Sequence, residues 1–278
     1  HKMMEELYPD LPYKHNSGGD PKEILNLSYE ELIEFHQEYY HPSRCIFFFY
    51  GDIPLEKHLN FIEKHALKNE KKIPHLPPLA KQPKFKKPKL RKTFYPSLEK
   101  ETVLAFGWIT TAISNEIESL AFNLLDIILM QTDASFLKKA LLKSGLVKQA
   151  HSYIDPEMSE IPYLIVCRGT KEKYLKPIYE IFTSTLEKVI EKGIDQSFIK
   201  AALHQLEFSR LEISSNHSMP YGLSLFLRTA LVKHHGCNPE NFLKIHSLFK
   251  KLEIYLKDPE YLPSLIKKHL LQNGKPAC

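Results

Sequence analysis

The sequence has few cysteines: 278 residues contain only Cys45, Cys167, Cys237 and Cys278. They are scattered and no two of them form a C-x-x-C pair, so a disulfide framework is not indicated. We therefore expect reduced thiols in a reducing compartment. Cys45 and Cys167 lie in apolar runs typical of strands, which favours structural over reactive thiols.

Histidine pairs with chelating spacing are also lacking. A zinc site on one helix needs two imidazoles three or four residues apart. Among the 14 histidines, His36 and His41 are five positions apart, and Pro42 follows at once. The other near pairs are seven apart or adjacent. We predict no metal ligand and no catalytic residue in this chain, and expect His36 and His41 to be partly buried and hydrogen-bonded.

Sequence motifs for other chemistries are missing as well. The chain has no G-x-S-x-G elbow, no G-x-G-x-x-G fingerprint and no P-loop. We find no apolar run of the roughly 18 residues that a membrane span needs, and expect no membrane partner. The opening "HKMMEELYPDLPYKH" has neither an initial Met nor a targeting pattern, so we expect it to come from the middle of a longer protein.

What is present is enough apolar material for a substantial core: 43% of residues are apolar, with 16 Phe and 14 Tyr. The net charge of +5 suits an acidic partner without requiring one. Residues 76–92 belong to a lysine- and proline-rich stretch that predicts an extended linker. They divide the chain into residues 1–75 and 93–278. A nucleic-acid surface would need interleaved aromatics, and Phe85 alone does not supply them.

Helix-start signals are clear in the first region. Asp20-Pro21 is a capping pair, and Ser28 with Glu31 forms a capping box. Pro42 ends that helix. Cys45 to Tyr50 is a continuous apolar run, which predicts a buried strand. A further helix is predicted from Pro54 to about Leu67.

The second region predicts an α+β domain, with strands first and helices last. A strand is expected at 102–109 and a helix at 117–130. Another helix is expected to be capped by Asp133 and to end at Gly145. Two strands that pair as antiparallel neighbours are expected within 149–155 and 162–169. The remaining predicted helices are 177–192, 196–213, 219–235, 239–256 and 258–272.

One stretch carries a family resemblance: "YKHNSGGDPKEILNLSYEELIEFHQEYYHPSRCIFFFYGD", from Tyr13 to Asp52. It resembles the zinc metallopeptidases of the pitrilysin/insulinase family, in the presequence-protease branch. Arg44 stands where that branch usually has Asn. The likeness continues through "TDASFLKKALLKSGL", "AALHQLEFSRLE", "PYGLSLFL" and the closing helices, although Tyr221 replaces a commoner Arg or Phe.

The resemblance implies domains of the LuxS/mitochondrial-processing-peptidase-like metallohydrolase type, each an antiparallel-rich sheet with helices packed on one side. Four such domains, in two hinged halves, would enclose a chamber. Residues 1–75 would be the C-terminal part of the catalytic domain, and residues 93–278 the second, non-catalytic domain. The family's zinc ligands and general base lie upstream of the segment matched here. Zinc is therefore expected in the parent protein and none in this chain.

The function implied is part of a zinc metalloendopeptidase that degrades unstructured peptides inside the closed chamber. This chain would supply scaffold and chamber wall and be inactive alone. Ala202 and Leu203 are predicted to help bind the substrate residue after the cleaved bond, although ordinary core positions remain an alternative for both. Two other functions stay open: a non-catalytic binding subunit of the same fold, and a basic nucleic-acid-binding protein acting through residues 81–92.

The same resemblance sets the expected partners and location. Partners would be unfolded peptides and the remaining domains of the same polypeptide, but not nucleic acid. A cut through the first domain would expose apolar surface, so self-association of the chain is also expected. The expected location is the bacterial cytoplasm, with the mitochondrial or plastid matrix as the alternative.

Overall fold

Residues 1–68 form four α-helices and no strand. The computed structural model describes residues 1–68, 70–85, 89–94, 101–212 and 220–272. The helices of the first region are α1 (Lys2–Leu7), α2 (Pro21–Ile24), α3 (Tyr29–Tyr39) and α4 (Leu55–Ile62). A π-helical turn, Glu63–Leu67, extends α4, so the helix predicted to reach about Leu67 is confirmed.

Local capping explains where α2 and α3 begin. The Asp20 carboxylate accepts a hydrogen bond from the backbone N–H of Lys22 at 3.0 Å. The Ser28 hydroxyl accepts from the Glu31 N–H at 3.1 Å, and the Glu31 carboxylate accepts from the Ser28 N–H at 2.8 Å. Both caps satisfy amides that the first helical turn leaves free. The predicted caps are therefore confirmed.

The second region contains a three-stranded antiparallel sheet in the order β1-β3-β2. Its strands are β1 (Thr102–Ala112), β2 (Gln149–Ile154) and β3 (Glu160–Thr170). The central strand β3 pairs with both neighbours, which confirms the predicted strands and their antiparallel arrangement.

Eight α-helices surround this sheet within residues 101–212 and 220–272. They are α5 (Glu116–Asp126), α6 (Phe136–Lys143), α7 (Leu175–Lys192), α8 (Gln196–Leu211), α9 (Tyr221–His234), α10 (Pro239–Leu243), α11 (Ile245–Tyr255) and α12 (Tyr261–Ile266). π-helical turns, Ile127–Gln131 and Lys267–Leu271, extend α5 and α12.

Two helix predictions in this region were wrong in detail. Ser135, not Asp133, precedes α6 as its cap, because Asp133 lies farther back in the turn and pairs with Lys138 at 2.9 Å. The single helix predicted over 239–256 is broken at Lys244, whose backbone leaves the helical region at ψ 52°. The predicted left-handed stop at Gly145 is confirmed by its φ of +68°.

The main core lies between one face of the sheet and α5, α6, α7, α8, α11 and α12. Trp108 of β1 stacks on Phe182 of α7 with ring centroids 4.7 Å apart. The buried Tyr163 hydroxyl donates to the Asp126 carboxylate at 2.9 Å, so this polar pair is satisfied inside the core. The predicted packing of helices on one side of the sheet matches this arrangement.

The opposite face of the sheet is covered by α1 and the chain that follows it. Leu7, Tyr8 and Leu11 are buried there, and the Tyr8 hydroxyl donates to the Glu160 carbonyl at 2.6 Å. The approach is close at Gly107, where an added Cβ would lie 3.0 Å from a Leu7 methyl group. The first residues of the chain therefore pack against the second region.

Residues 70–85 and 89–94 contain no helix or strand, as the linker composition predicts. They are not wholly solvated, because Gln82 is only 5% exposed. Its side-chain amide donates to the Asp10 carboxylate at 2.6 Å, and its backbone N–H donates to the Glu160 carboxylate at 2.7 Å. Gln82 thus connects the linker by hydrogen bonds to Asp10, which follows α1, and to Glu160 of the sheet.

The strand predicted at Cys45 to Tyr50 is wrong. These residues form no strand, and Phe47, Phe48 and Phe49 are 37–44% exposed. A strand needs a neighbour that pairs with its backbone, and an apolar run alone does not supply one. Instead, the run lies against α9, where the Tyr50 ring contacts Gly222 so closely that an added Cβ would lie 2.5 Å away.

One stretch, Glu116–Lys143, is long and apolar enough to cross a membrane by length and composition alone. This corrects the expectation that no run reaches span length. The stretch is interrupted at 132–135 between α5 and α6, and 61% of its most apolar window is buried in the protein. Packing against the sheet accounts for its apolar character.

Candidate functional site

Helix α8 carries both residues predicted to bind substrate. Its start is fixed by Asp195, whose carboxylate accepts from the Ser197 N–H at 2.7 Å. Ala202 is 5% exposed and belongs to the main core, whereas Leu203 is half-buried at its margin. Of the two, Leu203 therefore has side-chain surface to offer a ligand. Substrate contact by this pair stays a prediction.

The N-terminal part of α8 presents an aromatic surface next to α6. Phe198 is 41% exposed, and its ring lies 5.3 Å from that of Phe136, centroid to centroid. Leu206, two turns later on α8, is only 5% exposed. The face is therefore divided: its C-terminal part packs into the core, and its N-terminal part remains open.

The C-terminal end of α8 borders a cavity of about 230 Å³ that also touches α5, α9, α10 and α11. Two arginines line it, Arg210 from α8 and Arg228 from α9. Sequence reasoning missed both residues. The available signal was a cationic side chain within the apolar pattern of each of two consecutive helices. This signal does not show that the two arginines face the same cavity.

Histidine placement gives a mixed outcome. His41 is half-buried; its Nδ1 accepts from the Ser43 N–H at 3.1 Å, and its Nε2 lies 3.3 Å from the Glu70 carboxylate. That prediction is confirmed. His36 is exposed and stacks on Tyr40, so its predicted burial is wrong.

No described residues form a group of three or more His, Cys, Asp or Glu side chains that could hold a metal ion. Cys167 does not offer a nucleophile either. Cys167 is buried, and burial raises its pKa to about 11, which keeps it protonated. Cys45 is exposed, contrary to its predicted structural role, because the run around it is not a buried strand.

One partly buried ionic cluster joins the π-helical turn after α12 to α5. Glu118 accepts from Lys268 at 2.8 Å and lies 2.7 Å from His269 Nε2. Burial lowers the pKa of His269 and outweighs the opposing effect of Glu118. Burial alone would raise the pKa of Glu118, but hydrogen bonds from Lys268 and His269 hold it below its ordinary value. The cluster fixes α12 against α5 and lines a second cavity beneath the linker.

A family model described as the peptidase M16 inactive domain matches residues 26–206. Protein HypA of Clostridium perfringens is 29% identical over 277 residues, covering 98% of this chain and 28% of that protein. Presequence protease 1, chloroplastic/mitochondrial, of Arabidopsis thaliana is 31% identical over 288 residues, covering 98% and 26%. The chain thus spans about a quarter of the length of these relatives.

Solved structures show the same fold at low identity. A protease from Helicobacter pylori has a TM-score of 0.73 at 21% identity, covering 96% of this chain and 61% of that one. A peptidase M16 inactive domain from Pseudomonas fluorescens has a TM-score of 0.66 at 16% identity, covering 98% and 62%. These likenesses confirm the predicted α+β fold.

Proposed function

The chain belongs to the peptidase M16 family, and we propose that it is one segment of a longer zinc metalloendopeptidase that degrades unstructured peptides. The predicted membership in the pitrilysin/insulinase metallopeptidases is confirmed by the family match. In the proposal, residues 93–278 form the non-catalytic domain and residues 1–75 the C-terminal part of the catalytic one. Their role is scaffold and chamber wall.

The observation that carries this proposal is an apolar surface without a cover in the first region. Between residues 15 and 68 no side chain is buried. Large apolar side chains are instead exposed by 37–89%: Ile24, Leu25, Leu27, Leu32, Phe35, Phe47, Phe48, Phe49, Ile53, Leu55, Leu59 and Phe61. Exposed large apolar side chains in such number are typical of an interface. We infer that other domains of the same polypeptide cover it in the parent protein.

Zinc does not fit the described residues, because they offer no set of three ligands. Structural and catalytic zinc sites in proteins use three or four such side chains. No hydrolytic step is therefore assigned to side chains of this chain. In our proposal the metal and the general base are supplied by another part of the parent polypeptide.

The proposal is tested by comparing the 278-residue chain with the longer polypeptide of its parent. The chain alone should carry no stoichiometric zinc and should not cleave a quenched fluorescent peptide of unstructured sequence. The longer polypeptide should bind zinc and cleave the peptide, and chelation of the zinc should stop its turnover. One zinc per 278-residue chain, or metal-dependent turnover by that chain, contradicts the proposal.

A substrate contact for Leu203 can be tested in the longer polypeptide. Leu203→Asn should lower kcat/KM for peptides with a large apolar residue after the cleaved bond. Phe208→Asn is the matched control, because Phe208 lies on the same helix and is 62% exposed. Equal kinetics for the two variants would remove Leu203 from the substrate site and leave it a core residue.

Ion pairs of Arg91 and Lys92 count against these two residues as part of a nucleic-acid surface over residues 81–92. Arg91 pairs with Glu5 at 3.0 Å and Glu6 at 2.8 Å, and Lys92 pairs with Glu172 at 2.5 Å. These charges are already neutralised within the protein. Salt-dependent retention on DNA or RNA would revive this alternative.

The cellular compartment remains a prediction. The named relatives include chloroplastic and mitochondrial proteins as well as a bacterial one. The bacterial cytoplasm is our proposal, with the mitochondrial or plastid matrix as the alternative. Self-association through the exposed apolar surface is likewise proposed for the chain on its own.

A further inference from the structure

The cavity at the end of α8 has an apolar wall and a cationic pair. Its volume is about 230 Å³. That is small beside ligand sites of roughly 300–1,000 Å³, so it suits one or two residues and not a long peptide. Its apolar lining is contributed mainly by Ile113, Leu120, Leu227, Leu231, Phe242 and Leu248.

Arg210 and Arg228 approach this space from two different helices. Each is half-buried, and no carboxylate among the described residues lies within ion-pair distance of either guanidinium. Burial and the charge of Arg228 both lower the pKa of Arg210, but a guanidinium stays protonated in proteins. A half-buried cationic pair without a counter-charge is costly, and an anion would relieve that cost.

Two carboxylates also line the cavity but do not serve the arginines. Glu116 accepts a hydrogen bond from the Asn241 side chain at 3.0 Å. Glu157 lies near Asp155; burial and that neighbouring charge both raise its pKa. The Glu157 carbonyl contacts His235 Nε2 at 3.2 Å. Among the described residues the arginines therefore have no carboxylate partner, and they can bind an anion from outside.

We propose that this cavity binds the C-terminal residue of a peptide that ends in an apolar side chain. The carboxylate lies between Arg210 and Arg228, which can hold it with paired charge-assisted hydrogen bonds. The side chain lies on the apolar wall. A peptide end supplies the carboxylate and the adjacent apolar side chain from a single residue, which suits a cavity of about 230 Å³.

The source of the ligand rests on the proposed function. Hydrolysis of a peptide bond creates a new C-terminal carboxylate, so a peptidase chamber would contain many such ends. The binding itself requires neither zinc nor turnover. It can therefore be measured on the 278-residue chain. Absence of binding would not contradict the peptidase proposal, which the metal and cleavage assays test separately.

The test is calorimetric titration of the 278-residue chain with acetyl-Ala-Leu as the free acid and as the C-terminal amide. The acid should bind at least about tenfold more tightly than the amide, as expected for loss of a hydrogen-bonded charge. Arg210→Gln and Arg228→Gln should each remove that preference. Arg168→Gln is the matched control, because Arg168 is exposed on β3 far from the cavity lining.

Circular dichroism and the fluorescence of Trp108 check that each variant folds. If a variant does not fold, the acid-to-amide comparison on the unmodified chain still decides the question. Equal binding of acid and amide, or binding of neither, overturns the proposal. Acetate binding as tightly as the peptide would indicate a simple anion site, and octanoate binding more tightly would indicate a lipid-like ligand. Either result also overturns it.

Discussion

The two regions of this chain use the same kinds of sequence signal but reach different degrees of packing. In residues 101–212 and 220–272, side chains such as Trp108 and Phe182 are at most 3% exposed and share one core. Between residues 15 and 68, no residue is buried. Both regions nevertheless contain capped helices with apolar residues on one face. The two regions differ in whether other described segments of the chain pack against these apolar faces.

This comparison separates local from non-local causes of structure. The capping box at Ser28 and the Asn115 cap of α5 both form, because each needs only its own helix turn. Burial of Phe35 or Phe49 would require chain that packs against them. The residues of a helix can therefore determine that helix locally, whereas a buried core depends on all the segments that pack into it.

The largest expected difference between the regions comes from truncating a buried ring. Phe182→Ala removes the ring stacked on Trp108 and leaves a cavity in the main core. We expect a loss of about 3–5 kcal/mol in the free energy of unfolding. Urea denaturation followed by tryptophan fluorescence measures it, because Trp108 is the only tryptophan and lies in this core.

Phe49→Ala is the matched control from the first region. Phe49 is 39% exposed and stacks on His58. Its truncation should change the same unfolding free energy by no more than about 0.5 kcal/mol. Comparable losses from the two substitutions would instead show that the regions share one cooperative core.

A smaller effect is expected from removing one helix cap in each region. Asn115→Ala takes away the acceptor for the Glu118 N–H, a hydrogen bond of 3.2 Å, and should cost about 1 kcal/mol. Ser28→Ala removes the corresponding hydrogen bond in α3 and should destabilise that helix by a similar free energy. The helicity of α3 should fall as a result. Only Asn115→Ala should shift the transition reported by Trp108.

Far-UV circular dichroism at low denaturant serves to detect the loss at Ser28, since Trp108 does not report on α3. If Ser28→Ala shifted the tryptophan transition as much as Asn115→Ala, α3 would unfold together with the main core. The two regions would then be one cooperative unit under these conditions.

The same division explains how far the sequence predicts this structure. Asp20, Ser28, Glu31 and Gly145 were assigned correctly because their signals act within a few residues. The strand at Cys45 to Tyr50 failed because strand formation depends on a pairing neighbour. No proline or glycine lies at the helix break at Lys244, so no residue type in the sequence predicts the break.

The candidate sites follow the same rule. Leu203 was named through a family resemblance, and the structure adds only that it keeps some exposed surface. Arg210 and Arg228 meet across two helices, next to residues contributed by α5 and by the turn between β2 and β3. Periodicity within one helix cannot reveal such a meeting, because it depends on how the helices pack.

The smallest predicted effect concerns pH and the buried His269. Burial lowers its folded-state pKa below the ordinary value, so the unfolded chain binds more protons as the pH falls below about 6.5. Stability present at pH 7 should therefore decline as the pH is lowered through that range. Glu118, whose pKa is also lowered, should add a second decline at more acidic pH, below about 4.5.

Thermal melts followed by Trp108 fluorescence between pH 7 and pH 5 test the first decline. His269→Gln keeps a hydrogen-bond donor for Glu118 but cannot titrate, so the slope of Tm against pH should flatten. His36→Gln is the control from the first region, where the imidazole is exposed, and the slope should stay as in the unmodified chain. A slope that His269→Gln leaves unchanged would assign the acid sensitivity to other groups. A slope altered by His36→Gln would mean that the first region contributes to the stability of the second.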